Sequence, residues 1–390
     1  MTLYVHIGVP KTGTTSIQTF LKTNAAALKE RGLLVPPVFR GPNHTELYGF
    51  AVVEGTANAA AVALARSFVP DAAFGADFVD AVRSHNGDAV VSCEYLSDRL
   101  STVEAMDRLA RLLRAACDNV RVVLYIRDQV EALASYYPTQ VLGGRRSAFA
   151  FSLPANGASW SDHCAAIWAA HEKGDGTSAY VDALPGWLAY DELVERWEHT
   201  FGRDRIIIRP FRKSCDIVGD FFQALGISDL SRYELVARAN QARGAYEIEA
   251  IRRLNRLFPR LIGNAQTAER SLVFSKLAGA VAGAETGPTI GPSDIMLAEE
   301  IREARAYFAV GNAKISAVLD EEWNEPSGTV TFRNTTESVN DIFGRLLIET
   351  ARSELKVRQA NESLRCQVVK LREQHERLKA AHEALKSKIA

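Results

Sequence analysis

The chain has 390 residues, of which 47% are hydrophobic and 24% charged, and its formal net charge is -1. That length suffices for one large α/β domain or two ordinary ones, and the even charge balance excludes a global basic field for nucleic acid, so any anion site must be built locally. No run reaches the ~20 apolar residues of a membrane span, and five scattered cysteines without C-x-x-C spacing suit reduced thiols in a cytoplasmic protein.

The chain opens on strand-like Leu3-Tyr4-Val5-His6-Ile7, without the charged and apolar regions of a signal peptide. Further short apolar runs at 33–38, 89–93, 120–126 and 206–211 alternate with amphipathic segments. The alternation predicts a P-loop-like, doubly wound parallel sheet of about five strands flanked by helices. Ile17, Phe20, Leu21 and Leu28 fall at helical spacing until Gly32 stops them, and 101–117 reads as a helix capped by Ser101. Residues 143–186 are rich in Gly, Ser, Ala and Pro, and read as a long surface excursion, either an acceptor lid or a loop without a role. Within it Arg145, Arg146 and Lys173 either meet an acidic acceptor or form a solvated face. Helical patterning returns at 187–201, 216–226, 246–258 and 294–319.

Leu364, Leu371, Leu378 and Leu385 fall seven apart, with Val357 one heptad earlier. That repeat predicts a C-terminal coiled-coil helix over 346–390, after a domain over 1–345, and a homo-oligomer paired through it. The alternative is a single long helix packed on its own domain. His375 and His382, seven apart, suit a solvated seam better than a metal site.

Between the first strand and first helix lies Gly8-Val9-Pro10-Lys11-Thr12-Gly13-Thr14-Thr15-Ser16. The glycines have Walker A spacing, but Thr14 stands where that motif needs lysine, and the lysine is Lys11. Either the loop is a degenerate triphosphate site or it is an anion cradle of another class. In both readings successive backbone N–H groups and a helix N-terminus face the anion, and Lys11 adds a full charge. Thr12, Thr14, Thr15 and Ser16 supply hydroxyls, and Gly13 lets the backbone approach.

Pro10-Lys11-Thr12-Gly13-Thr14-Thr15 resembles the P-K-[S/T]-G-T-T loop of sulfotransferases, and the stretch Val5 to Gln18 is similar to a bacterial branch of that family. The resemblance implies a donor, 3′-phosphoadenosine 5′-phosphosulfate, whose 5′-phosphosulfate lies on residues 11–16. It also implies a 3′-phosphate site from an arginine ending a strand and a serine eight residues later, matched by Arg127 and Ser135. The likeness runs through Tyr190-Asp191, Arg209-Pro210-Phe211, Asp220-Phe221-Phe222, Asn240 and Gly311-Asn312, over roughly 1–335, and sets Phe211-Arg212 near the adenosine. The R-K-G…G stretch of the cytosolic enzymes has no clear equivalent, with Arg243 a substitute. Two general bases are open: Glu94, which follows the strand ending at Cys93, and His44, which lies past the second strand. The expected product is 3′,5′-adenosine bisphosphate, no metal is required, and the acceptor is a hydroxyl of a saccharide or glycolipid. Two other functions stay open: a nucleotide-dependent kinase with a degenerate Walker loop, and a non-catalytic coiled-coil assembly protein with a relic pocket.

Overall fold

The computed structural model describes residues 1–53, 59–155, 157–172, 183–212, 216–234, 243–257, 286–316 and scattered positions from 339 to 379. They divide into two compact units, one of residues 1–243 and 289–332, the other of 244–288 and 333–390.

The first unit is an α/β structure built on five parallel strands: β1 (Leu3–His6), β2 (Leu33–Leu34), β3 (Asp88–Ser92), β4 (Val120–Ile126) and β5 (Ile206–Pro210), in the order β2-β3-β1-β4-β5. Both sheet faces are covered, which is why these strands read as unbroken apolar runs. Alternation along β1 sends Leu3 and Val5 to one face and Tyr4 to the other.

On the Tyr4 face pack α1 (Thr14–Thr23) and α2 (Ala25–Glu30) through Ile17, Phe20, Leu21 and Leu28. The other face carries most of the helices that follow: α3 (Glu46–Ala51), α4 (Ala59–Arg66), α5 (Phe74–Arg83), α6 (Tyr95–Asp98), α7 (Val103–Ala116), α8 (Gln129–Leu142), α9 (Trp160–Glu172) and α10 (Tyr190–Phe201). Helix α11 (Ile217–Ala224) returns to the first face, where Phe222 meets Phe20 edge-on at 5.1 Å. The chain leaves β1 towards β2 but leaves β4 towards β5. A crevice therefore opens between the C-terminal ends of β1 and β4, where such sheets bind ligands.

Several expected boundaries move. The strand expected over 33–38 stops at Leu34, because Pro36 and Pro37 cannot donate to a ladder. Helix α7 is capped by Thr102, whose side chain accepts from Ala105 N, and not by Ser101. The 143–186 segment is more than a surface excursion: it contains α9, and Trp160 is fully buried with its indole N–H on Pro185 O at 2.9 Å. Arg145 is neither solvated nor aimed at an acceptor. It is 1% exposed, bonded to Gln140 Oε1 at 2.9 Å and Ala148 O at 3.0 Å, over the Tyr137 and Phe149 rings. Lys173 lies outside the described residues.

The second unit contains α12 (Ala245–Leu257), with Ile248, Ile251 and Leu254 buried and Glu249 paired to Arg252 and Arg253. Its described positions from 357 to 379 are helical, and Val357, Leu364 and Leu371 are exposed. Leu378, Leu385, His375, His382 and most of 346–390 lie outside the described residues, as does Asn240. A last helix, α13 (Ala298–Ser316), belongs to the first unit and clamps the start of α8: Asn312 and Gln129 exchange two hydrogen bonds, at 2.6 and 3.1 Å. Among the described residues, no helix is long and apolar enough to cross a membrane.

Candidate active site

The loop between β1 and α1 is shaped by three residues with positive φ: Gly8 at 45°, Lys11 at 71° and Gly13 at 82°. Lys11 is the only non-glycine among the described residues with that conformation, which costs an L-residue on the order of 1 kcal/mol or more. Glycine is required at position 8, where a Cβ would come within 2.4 Å of Thr14 Cγ2. Among the described residues, the backbone N–H groups of Gly13, Thr14 and Thr15 have no protein acceptor, and the first turn of α1 holds no acidic side chain. Unsatisfied donors at a helix N-terminus beside left-handed residues are the physical requirement for an anion cradle.

The hydroxyls have divided duties. Thr12 is fully buried and donates to Val9 O at 2.6 Å, which holds the loop closed. Thr14 donates to Glu94 Oε2 at 2.8 Å. Thr15 is exposed and Ser16 half-buried, and these two are left to face a ligand.

Glu94 follows β3 and begins α6. Burial pushes its carboxyl above the usual range, against the Thr14 hydrogen bond and the Lys11 charge, which act the other way. Lys11 is pushed down by burial, with Glu94 opposing and Arg127 reinforcing the shift, and its Nζ donates to Thr139 Oγ1 of α8 at 3.4 Å. Arg127, 6% exposed just past β4, donates through Nη1 to Lys11 O at 3.1 Å and through Nη2 to Glu131 Oε2 at 3.2 Å. Its guanidinium lies over the Phe211 ring at 5.4 Å, and Phe211 is itself fixed by its N–H on Ile126 O. The ends of β1, β3 and β4 thus bring Lys11, Glu94 and Arg127 into one electrostatic cluster. Ser135 lies two turns into α8, half-buried, and Arg212 is exposed beyond β5.

His44 is held differently. It is 3% exposed, stacked on Phe39 at 3.9 Å, and its Nδ1 accepts from Ser92 N at 3.1 Å. Burial lowers it to about 3, so its ring is neutral and fastened to the backbone of β3. His6 is equally buried and lowered to about 3, with Nδ1 on Ser92 Oγ at 2.8 Å. Sequence reasoning missed the Thr14–Glu94 bond, the Glu131 partner of Arg127 and the Thr139 contact of Lys11. Only Glu131, four residues after Arg127 at helical spacing, left a signal to find. Below the loop, Tyr125 OH donates to Asp220, which also takes both arms of Arg209 at 2.7 and 2.6 Å, and this ties β4, β5 and α11 together.

Comparison with known protein families and with curated proteins finds no match. Among solved structures, a sulfotransferase from Alicyclobacillus acidocaldarius is similar, with 15% identity over 82% of this chain and 96% of that one, at a TM-score of 0.39. At that identity and score the likeness carries nothing about individual residues.

Proposed function

We propose that the chain is a sulfotransferase that moves a sulfuryl group from 3′-phosphoadenosine 5′-phosphosulfate to an acceptor hydroxyl, releasing 3′,5′-adenosine bisphosphate. The observation that carries this reading is the cluster at the crevice: Lys11 in left-handed backbone beside unsatisfied N–H groups, hydrogen-bonded to Arg127 and joined through Thr14 to Glu94. When bound, the donor supplies the sulfuryl group, whose bond to the bridging phosphate oxygen breaks as the bond to the acceptor oxygen forms. Gly13, Thr14 and Thr15 N–H and the Thr15 and Ser16 hydroxyls hold the 5′-phosphosulfate. Lys11 stabilises the negative charge that develops on the leaving oxygen. Arg127 uses two donors on protein, leaving three for the 3′-phosphate, with Ser135 completing the grip and Phe211 and Arg212 bordering the adenosine.

Glu94 takes the proton of the acceptor hydroxyl. Its raised carboxyl suits a base working near neutrality, whereas His44 has its Nδ1 committed to the Ser92 amide. In this reading the heptad segment pairs two copies of the chain, and the acceptor is a saccharide or glycolipid. A thermal-shift titration of the full chain tests the donor assignment, because a ligand that binds only the folded state raises its stability. Stabilisation by 3′,5′-adenosine bisphosphate without metal is expected. Stabilisation by ATP with Mg²⁺ alone would overturn the reading in favour of triphosphate chemistry.

A further inference from the structure

In the same unit as the Lys11 loop lies a cavity of about 550 Å³, within the range that encloses small organic ligands. Its wall shares Ser97 with the loop: Ser97 Oγ reaches the carbonyl oxygens of Gly8 and Glu94, the latter at 2.9 Å. Tyr136, also in the wall, precedes by one turn the Thr139 that receives Lys11. Ser97 thus links the cavity wall to Glu94 and to the start of the anion loop.

Its lining has a distinct chemistry. Tyr136 and Trp187 meet at right angles with ring centroids 5.6 Å apart and give the wall an aromatic stretch suited to the C–H surface of a ring. The two carboxylates of the wall are engaged: Asp98 pairs with Arg99 at 3.0 Å, and Asp162 accepts from Ser159 Oγ at 2.9 Å. Arg196 lacks such a match. It is half-buried, its guanidinium donates to Leu100 O at 2.9 Å, and among the described residues no carboxylate lies within ion-pair distance. Burial lowers it from the ordinary arginine value, with Glu192 acting the other way. Glu192, however, accepts from Trp160 N at 3.0 Å and Ser161 N at 3.3 Å, and from the Ser161 hydroxyl. A cavity-lining arginine with four donors unused, and with Glu192 beyond ion-pair distance and committed to Trp160 and Ser161, is set to receive an anion from the ligand.

We infer that this cavity takes the acceptor, and that the acceptor is an anionic saccharide: a sugar ring on Tyr136 and Trp187 with its carboxylate or sulfate held by the Arg196 fork. The inference rests on the sulfotransferase reading, and its test separates the two. Transfer from 3′-phosphoadenosine 5′-phosphosulfate is measured with three tetrasaccharides: one containing glucuronate, one already carrying sulfate esters, and one neutral. At least one anionic substrate is expected to exceed the neutral one tenfold or more in kcat/KM, and the pair shows whether carboxylate or sulfate is preferred. Arg196→Gln is expected to raise KM for that substrate tenfold or more with kcat nearly unchanged, whereas Arg196→Lys retains most of the affinity. Affinity for 3′,5′-adenosine bisphosphate, measured in the same variants, reports the donor site and the fold, and is expected to stay unchanged. Equal use of the neutral tetrasaccharide, an unchanged KM in Arg196→Gln, or no transfer to any of the three despite bisphosphate binding would overturn the anionic-acceptor inference. Loss of bisphosphate binding in the unsubstituted chain would overturn the sulfotransferase reading itself.

Discussion

Thr14 joins two groups that a reading along the chain keeps 80 positions apart: its backbone N–H belongs to the anion cradle, and its hydroxyl fixes Glu94. Because burial raises the Glu94 carboxyl, the acid limb of kcat/KM is expected above the ordinary carboxylate value of 4.5, and Glu94→Gln should lower kcat by ~10²–10⁴ while leaving bisphosphate affinity near its original value. The same shift carries a stability cost. A carboxyl with a raised folded value contributes stability below 4.5 and loses it as pH rises through the folded value. Glu94→Gln should therefore melt higher than the parent at neutral pH. A lower melting temperature together with full activity would contradict both roles. The sequence singled out Lys11, Glu94 and Arg127, which the fold brings together, but not the bond between Thr14 and Glu94. Such contacts depend on strand order, which no local pattern records.

At the level of elements, the loop between β1 and α1 is shaped by backbone as much as by side chains. Gly8→Ala would drive a methyl group into Thr14, and Gly13→Ala would press on Ile217 at 3.0 Å, both at positive φ. Each substitution is expected to cost ~1–3 kcal/mol and to weaken bisphosphate binding in parallel. Urea denaturation and calorimetry read the two effects separately. Here the sequence was informative, since glycine spacing and the hydroxyl run are local properties. It was less so for 143–186, where the absence of periodicity concealed a helix. Trp160, Cys164 and Ile167 pack that helix on the core, but three apolar positions among Ser, Asp, His and Ala make a weak pattern inside a Gly- and Ser-rich segment. Arg145 misled for a related reason. Its carbonyl and amide partners are created by the turn itself, so a cation that reads as surface residue is buried.

For the whole molecule, acid sensitivity is expected from two buried histidines. An unfolded histidine binds its proton near 6.5, whereas His6 and His44 do so only near 3 in the folded chain, so below pH 6.5 the unfolded state takes up more protons. Stability should fall by roughly 1.4 kcal/mol per pH unit for each histidine between those values. His44→Gln should flatten that slope in pH-dependent urea denaturation, and an unchanged slope would reject a neutral, buried His44. The heptad segment is tested by sedimentation of the full chain against one ending at residue 345: a dimer that becomes a monomer is expected, and an unchanged assembly state excludes pairing through that segment. The parallel sheet was legible from alternating apolar runs, because strands covered on both faces leave that signature. The assignment of α12 to a separate unit was not, since amphipathic helices look alike whichever core they join.

In the proposed function, Arg127 and the Lys11 loop together recognise a donor phosphorylated at both the 3′ and 5′ positions of its ribose. Calorimetric titration of the full chain with 3′,5′-adenosine bisphosphate and with adenosine 5′-monophosphate measures this recognition directly. The bisphosphate is expected to bind at least tenfold more tightly, and Arg127→Ala to erase that preference while Lys11→Ala weakens both ligands. Equal affinity for the two nucleotides, or a preference that survives Arg127→Ala, would contradict it.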